Sequence, residues 1–382
     1  MEYMGGVLMR AFGIPCPDGI VLDVSDNFAA REFALAALSF PCVLKAQVEA
    51  GGRGKAGGVQ TASSLAEARM KLDQIFGLTI KNLPVKKVYI VPKVEIAHEL
   101  YLSVMLDRDR RCPVLIFSRF GGMDIEQVAV RNPGDVQKIE IDPLIGLQPY
   151  HVAYVASKTG LEPELLKPLQ DVAARLYRMF CERDTMLVEI NPLVKTGQGG
   201  LMALDAKVVV DDSALTRQPE VGAFRSSLDE DLLTVEARAC RFLYIPLEPD
   251  GRVAVMSNGS GMIMSCMDLI SKQSVKVGAA LDLGGGATSD RVAEGIRIVF
   301  KNPEISVLFI NIFGGITRCD EIAGGIAAAL EKLPSSVALI VRMEGTNKEK
   351  GLEILDRFRS AVTVVDNIRE GVAATVEKAG KV

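Results

Sequence analysis

Residues 305–323 read ISVLFINIFGGITRCDEIA. The apolar, β-branched run at 305–313 has the composition and length of a buried strand. Gly314 and Gly315 interrupt it, and a helical pattern follows at once. Thr317 stands where an N-cap belongs, with Asp320 three residues on, as in a capping box. A strand, a glycine turn and a helix start in direct succession make an anion site. The glycines admit close backbone approach, and the helix end offers unpaired N–H groups and partial positive charge. The same letters also describe an ordinary strand-to-helix turn, so the surrounding chain decides between the two.

Around this stretch the pattern repeats. Strands are predicted at 252–257, 277–283, 305–313, 336–342 and 361–365, alternating with helices at 260–271, 289–300, 319–332 and 348–358. Such alternation predicts an α/β fold with a doubly wound parallel sheet, whose ligands bind at the carboxyl ends of the strands. Three of those ends carry glycine-rich loops that feed a helix: Asn258-Gly-Ser-Gly261, Gly284-Gly-Gly-Ala-Thr288 and Gly314-Gly-Ile-Thr317. None has the GxGxxG spacing, so a dinucleotide fold is not indicated.

Upstream lies a second constellation. Helices are predicted at 4–13, 27–39, 63–76 and 163–181, and a strand at 41–48 runs into EAGGRGKAGG at 49–58. The glycines of that loop free backbone N–H groups, while Lys45, Arg53 and Lys55 supply positive charge, which suits a cover over polyphosphate. No GK[ST] opens a helix here, so it is not a Walker A loop, and a solvated basic loop is the plainer alternative. Strands at 87–94 and 100–106 bracket His98 and Glu99, and strands at 113–118 and 137–141 flank GGMDIEQVA at 121–129. A hairpin is then expected, with strands at 185–193 and 201–210 around a turn at 195–200. Glu189 and Asn191 are two apart and share a face. Asp205 on the returning strand can meet them. Two carboxylates and an amide oxygen suit Mg²⁺, a hard ion shared with substrate phosphates. A salt-bridged hairpin with Lys207 is the alternative. A polar helix and a Pro/Gly stop at 226–250 place a domain boundary near 240.

Composition narrows the field. The 382 residues are 48% hydrophobic and 24% charged, with a net charge of -4. That length predicts two or three domains, and that balance gives no electrostatic reason to expect nucleic-acid binding. No window is long and pure enough for a membrane span. The N-terminus lacks a basic start with a clean apolar core, so no signal peptide is expected and the cytoplasm is the expected compartment. Seven cysteines are scattered without CxxC or metal-ligand spacing, as buried thiols in a reducing compartment would be. Cys319 lies in the first turn of the opening helix, whose end would lower a thiol pKa, but structural filling is the better reading there. With only His98 and His151, zinc clusters and most histidine-assisted nucleophiles are nearly excluded.

KAQVEAGGRGKAGG (45–58), EINPLV (189–194), LDAK (204–207), NGSGMIMSCMDLI (258–270), LDLGGGATSDRV (281–292), NIFGGITRCD (311–320) and RMEGTN (342–347) fall in order along nearly the whole chain. Together they resemble the β subunit of succinyl-CoA synthetase, also called succinate–CoA ligase. The resemblance implies an ATP-grasp nucleotide-binding domain at 1–240 and a flavodoxin-like CoA-ligase domain at 241–382. It implies reversible formation of acyl-CoA from a dicarboxylic acid, CoA and ATP with Mg²⁺, through a phosphohistidine on an α subunit that also holds most of the CoA site. By position, Lys45, Gly52, Arg53 and Gly54 would meet the nucleotide phosphates. Val91 and Val94 would line the adenine, and Glu99 would take the ribose. Asn191 and Asp205 resemble the Mg²⁺ ligands, and Glu189 the catalytic residue that steadies the phosphohistidine. Asn258, Gly315, Ile316 and Thr317 match the positions that bind the acid and phosphate. Glu49 departs from a usual histidine, Val91-Pro92 from an acidic hinge, and Arg119-Phe120 from a usual Thr-Glu. Pro17 stands where GTP-specific relatives carry glutamine, which favours ATP. Malate in place of succinate, and a regulatory subunit without turnover, are the alternatives.

Overall fold

The computed structural model describes residues 1–380 apart from 198, 229 and 333–336. Position 198 in the expected 195–200 turn and position 336 at the start of the expected 336–342 strand lie outside the described residues. The chain divides into two compact units, Met1–Ser227 and Leu228–Val382. The sequence boundary near 240 falls inside the second unit. Helix Leu232–Ala239 belongs there because Ala237 and Leu233 pack into that unit's core.

The first unit is built on two antiparallel sheets. In one, the order is Ile20–Asp23, Lys87–Pro92, Cys42–Gln47, Val59–Ala62. Alternation along Cys42–Gln47 turns Leu44 and Ala46 into a core with Leu72 and Ile75 of helix Leu65–Phe76. Lys45, between them, therefore emerges on the opposite face. The other sheet runs Leu201–Ala203, Thr185–Thr196, Ile96–Asp107, Cys112–Ser118, Val136–Glu140. Helix Pro163–Glu182 covers it with a stripe of Leu165, Leu169, Val172, Leu176 and Met179, spaced three and four apart.

The hairpin forms, with one interruption. Its returning strand, expected to be continuous, is split into Leu201–Ala203 and Ala206–Val210. From Leu187 to Lys195 both halves keep one register, with Leu193 opposite Ala203 and Ile190 opposite Ala206, and it shifts only where Thr185 meets Val210. Pro192 has no N–H to donate across the pair, so the ladder thins there. Two bonds remain, Asn191 N to Asp205 O at 3.2 Å and Leu204 N to Pro192 O at 3.1 Å. Leu204 and Asp205 are thereby freed from regular strand geometry.

In the second unit the sheet order is Leu243–Pro246, Val277–Asp282, Val253–Ser257, Val307–Gly314, Ala338–Gly345, Val362–Val364. The first strand is antiparallel and the rest parallel. In chain order the parallel strands run 2-1-3-4-5, which is the flavodoxin arrangement. Along Val307–Gly314, Leu308, Ile310 and Ile312 face one helical layer, while Val307 and Phe309 face the other. The expected helices appear as Ser260–Ser271, Ser289–Val299, Cys319–Leu330 and Lys348–Leu355. Strand Leu243–Pro246 and helix Ile368–Gly380 are additions that the pattern did not announce. Strand order reverses between Val253–Ser257 and Val307–Gly314, and this is where such folds bind ligands. Among the described residues, no helix is long and apolar enough to cross a membrane.

Candidate functional site

In the first unit, Lys45, Arg53 and Asp205 come together from three separate elements. Lys45 Nζ, on the face of its strand away from the helices, donates to Leu204 O at 2.8 Å. Arg53 folds back from the glycine-rich loop. Its Nη1 donates to Ala46 O at 3.1 Å, and its Nη2 meets Asp205 Oδ2 at 2.7 Å. The loop, expected as a flexible cover, is thus tied to the hairpin. The amides of Ala56, Gly57 and Gly58 turn onto carbonyls of Gly52, Arg53 and Gly54. Gly52 has φ +87°, and nothing would crowd a Cβ at Gly52 or Gly54. Burial and a neighbouring carboxylate, Glu2, push the Asp205 carboxyl up, against the pull of Arg53 and Lys45.

A cavity beside this cluster is lined by Glu2, Pro17, Tyr89, Val91, Leu204 and Asp205, among others. Val91 therefore lies next to the charged cluster, while Val94 and Glu99 sit further along the chain and do not line that cavity. Glu99 faces the loop at 119–123 instead. Its carbonyl accepts from Gly121 N at 3.0 Å, and its carboxylate rests against Gly122.

Glu189 and Asn191 take different partners from Asp205. Glu189 Oε2 accepts from the Tyr101 hydroxyl at 3.3 Å. Burial pushes the Glu189 carboxyl up, with Lys207, opposite it in register, pulling against the shift. Asn191 spans the loop at 119–123, accepting from Gly122 N at 2.7 Å and donating to Met123 O at 2.9 Å. The expected single face of Glu189, Asn191 and Asp205 is thus two adjoining groups, each with its own partners. Among the described residues, no three acidic, histidine or cysteine side chains cluster as a complete metal site. An amide oxygen and a carboxylate, as at Asn191 and Asp205, are donor types that Mg²⁺ takes, with phosphate and water completing its shell. Neither histidine joins these groups. His98 Nε2 donates to Arg119 O at 3.1 Å, and His151 Nδ1 accepts from Gln148 N at the start of helix Pro149–Thr159.

In the second unit the three glycine-rich loops meet at the switch point. Asn258 accepts from Phe313 N at 3.1 Å and donates to Phe313 O at 2.9 Å, so its amide clasps the neighbouring strand end. Thr317 is not the N-cap. Helix Cys319–Leu330 is preceded by Arg318 at that position. The buried Thr317 hydroxyl accepts from Gly286 N at 2.9 Å, joining two loops. Asp320 departs from the capping box as well, since its carboxylate binds Arg318 at 2.6 Å and Lys350 at 3.3 Å. Gly315 has no neighbour within 4 Å of a Cβ, and Ile316 is 89% exposed, so this turn is the open part of the site. Cys319 is buried, and burial pushes its thiol up, opposite to the shift that the helix end alone would give.

Sequence reasoning missed Glu2, Tyr101 and the Gly122–Asn191 bond. The paired glycines at 121–122 were a visible signal for the last. Nothing local marks Glu2.

The chain is similar to known proteins along most of its length. The ATP-grasp domain family matches residues 1–195, and the CoA-ligase family matches residues 256–370. The β subunit of the ADP-forming succinate–CoA ligase of Nautilia profundicola is 40% identical over 386 residues, covering 99% of this chain and 98% of that protein. Its counterpart in Desulfosudis oleivorans is 42% identical over 361 residues, covering 93% and 92%. The solved ATP citrate lyase of Methanothrix soehngenii, in complex with citrate and coenzyme A, shares the fold. Its TM-score is 0.78 at 20% identity, covering 94% of this chain and 93% of that one. The chain belongs to the succinate–CoA ligase β-subunit family.

Proposed function

We propose that this chain is the β subunit of an ADP-forming succinate–CoA ligase that works with an α subunit. The observation that carries the reading is the convergence of Lys45, Arg53 and Asp205 from a strand, a glycine-rich loop and a hairpin. Two cations and a carboxylate on adjoining elements suit a nucleotide polyphosphate, and phosphoryl transfer asks chiefly for positioning and charge neutralisation. Lys45 and Arg53 hold the phosphates, Gly52 and Gly54 leave the loop backbone open to them, Val91 and Val94 flank the base, and Glu99 takes the ribose. Asn191 and Asp205 would hold Mg²⁺, which when bound neutralises charge on the phosphates.

The phosphoryl group passes from ATP to an imidazole nitrogen of the α subunit, releasing ADP. Glu189, held by Tyr101, accepts the hydrogen bond of the other ring N–H and steadies that histidine. At the second station a succinate carboxylate oxygen attacks the phosphorus, giving an acyl phosphate and the free imidazole. The CoA sulfur then attacks the acyl carbon and expels phosphate. Asn258 and Thr317 shape this station by joining its loops, while the backbone at Gly315, Ile316 and Thr317 meets the acid and phosphate oxygens. Neither His98 nor His151 bonds to these groups, which is consistent with a phosphoryl carrier on the partner.

The test is co-expression with the α subunit and measurement of ADP release with succinate, with malate and with no acid. Succinate should drive turnover. Malate preferred over succinate would reassign the substrate, and ATP binding without turnover on either acid would sink the enzyme reading. Asp205→Ala should abolish labelling of the α subunit by γ-phosphate, and intact labelling would remove Asp205 from the site.

A further inference from the structure

Lys45 and Arg53 share a partner that the nucleotide reading leaves unused. Glu2, in the first turn of helix Glu2–Ala11, places Oε1 2.6 Å from Lys45 Nζ and Oε2 2.9 Å from Arg53 Nη1. It is only 6% exposed. The helix that carries it is anchored, with Leu8 and Met9 in the core of the second sheet and Gly5 lying close over Ala206. The carboxylate is therefore a fixed part of the cluster.

Its effect follows from charge. Lys45 and Arg53 bring two positive charges, and Glu2 and Asp205 bring two negative ones, so these four side chains cancel one another. A balanced cluster attracts a polyphosphate far less than two bare cations at the same place. The two oxygens of Glu2 also touch the two cations as neighbouring phosphate oxygens would.

We propose that Glu2 is the resident anion of the phosphate cradle. It holds Lys45 and Arg53 side by side, and it subtracts one full charge from the attraction they exert on an incoming nucleotide. Glu2 is thus a positioning residue that sets nucleotide affinity, and the proposal rests on the reading of Lys45 and Arg53 as phosphate ligands.

The experiment is calorimetric titration of ADP into the assembled α–β complex with divalent cations chelated, across a series of KCl concentrations. Glu2→Gln should bind metal-free ADP about tenfold more tightly than wild type, with the gain shrinking as salt rises. Glu2→Asp, which keeps the charge, should stay within about twofold of wild type. A folded Glu2→Gln with unchanged or weaker ADP binding overturns the proposal. Should the glutamine variant fail to fold, Glu2→Ala removes the carboxyl without setting an amide against two cations, and the same two outcomes apply. Arg53→Ala separates the two layers of the argument. If it binds ADP as wild type does, the nucleotide reading has failed. If it loses ADP while Glu2→Gln changes nothing, only the role of Glu2 has failed.

Discussion

The two stations are built from opposite materials. In the first unit, charged side chains from a helix, a strand, a loop and a hairpin neutralise one another: Glu2, Lys45, Arg53 and Asp205. In the second unit, uncharged groups at one edge of a parallel sheet do the work: Asn258 on Phe313, Thr317 on Gly286, and an open turn at Gly315 and Ile316. Buried charges must be paired, so the first station depends on elements far apart in sequence. The second is fixed by strand order and by how closely backbones approach. The first should therefore be broken by changing charge, and the second by adding volume.

The largest effect expected from added volume is at Gly345, where strand Ala338–Gly345 ends. Its φ is +105°, and a Cβ there would lie 2.0 Å from Gly314 O. Neither backbone can yield without parting the strands beneath the acid-side turn. Gly345→Ala should destabilise the second unit by about 3 kcal/mol or more, read as a lowered urea midpoint. At Gly122 in the first unit, φ is +71° and a Cβ would meet the Glu99 carboxylate at 2.2 Å. That obstacle is the end of a side chain, which can swing away. Gly122→Ala should cost less, about 1–2 kcal/mol, but should weaken nucleotide binding as Glu99 and Asn191 lose their seats. Equal losses of stability in the two variants would erase the contrast.

The same contrast explains what could be read from the sequence. The strand, turn and helix of the second station were legible because their signals are local: an apolar run at 305–313, a glycine pair and a helix start lie within twenty residues of one another. The three loops and their helices appear as expected. Strand order was not legible, since pairing of Val253–Ser257 with Val307–Gly314 joins residues about fifty apart. Thr317 misled for a related reason. A threonine before a helix reads as a cap, yet the Gly286 amide, from another loop, competes for its hydroxyl and wins. In the first unit the loop and hairpin were legible as separate pieces. Their joining was not, because Arg53 reaches Asp205 across 152 positions and Lys45 reaches Glu2 across 43. The break at Leu204 and Asp205 had a visible cause in Pro192, but Pro192 stands on the opposite strand, so its effect depends on a pairing register that the letters do not state. Strand Leu243–Pro246 escaped because it is a four-residue edge strand ending in proline.

A smaller effect, confined to function, is expected at Gly315. No atom lies within 4 Å of a Cβ there and its φ is not left-handed, so Gly315→Ala should leave the melting temperature within about 1 °C of wild type. If the turn meets the acid through its backbone, the added methyl should raise the succinate KM about tenfold and leave the ATP KM unchanged. A rise in both would mean that the alanine disturbs more than the acid-side turn. No change in either would move the acid away from Gly315.

The smallest effect is a pH dependence at the same helix start. The Arg318 guanidinium beside Asp320, helped by Lys350, holds the Asp320 carboxyl well below the usual carboxylate range. A depressed carboxyl stabilises the fold above its unfolded pKa, and that contribution fades as the pH falls toward the folded value. Arg318 is half exposed and screened by water, so the contribution is modest. Melting curves between about pH 6 and pH 2 should show it. Wild type should lose stability on the acid side of about pH 4, and Asp320→Asn should lose less over the same interval because it has no proton to take up. Above about pH 5 the variant should be the less stable of the two, since its amide binds Arg318 without the ionic attraction. Parallel curves would mean that the pair orients Arg318 at the mouth of the acid-side turn without coupling its charge to folding.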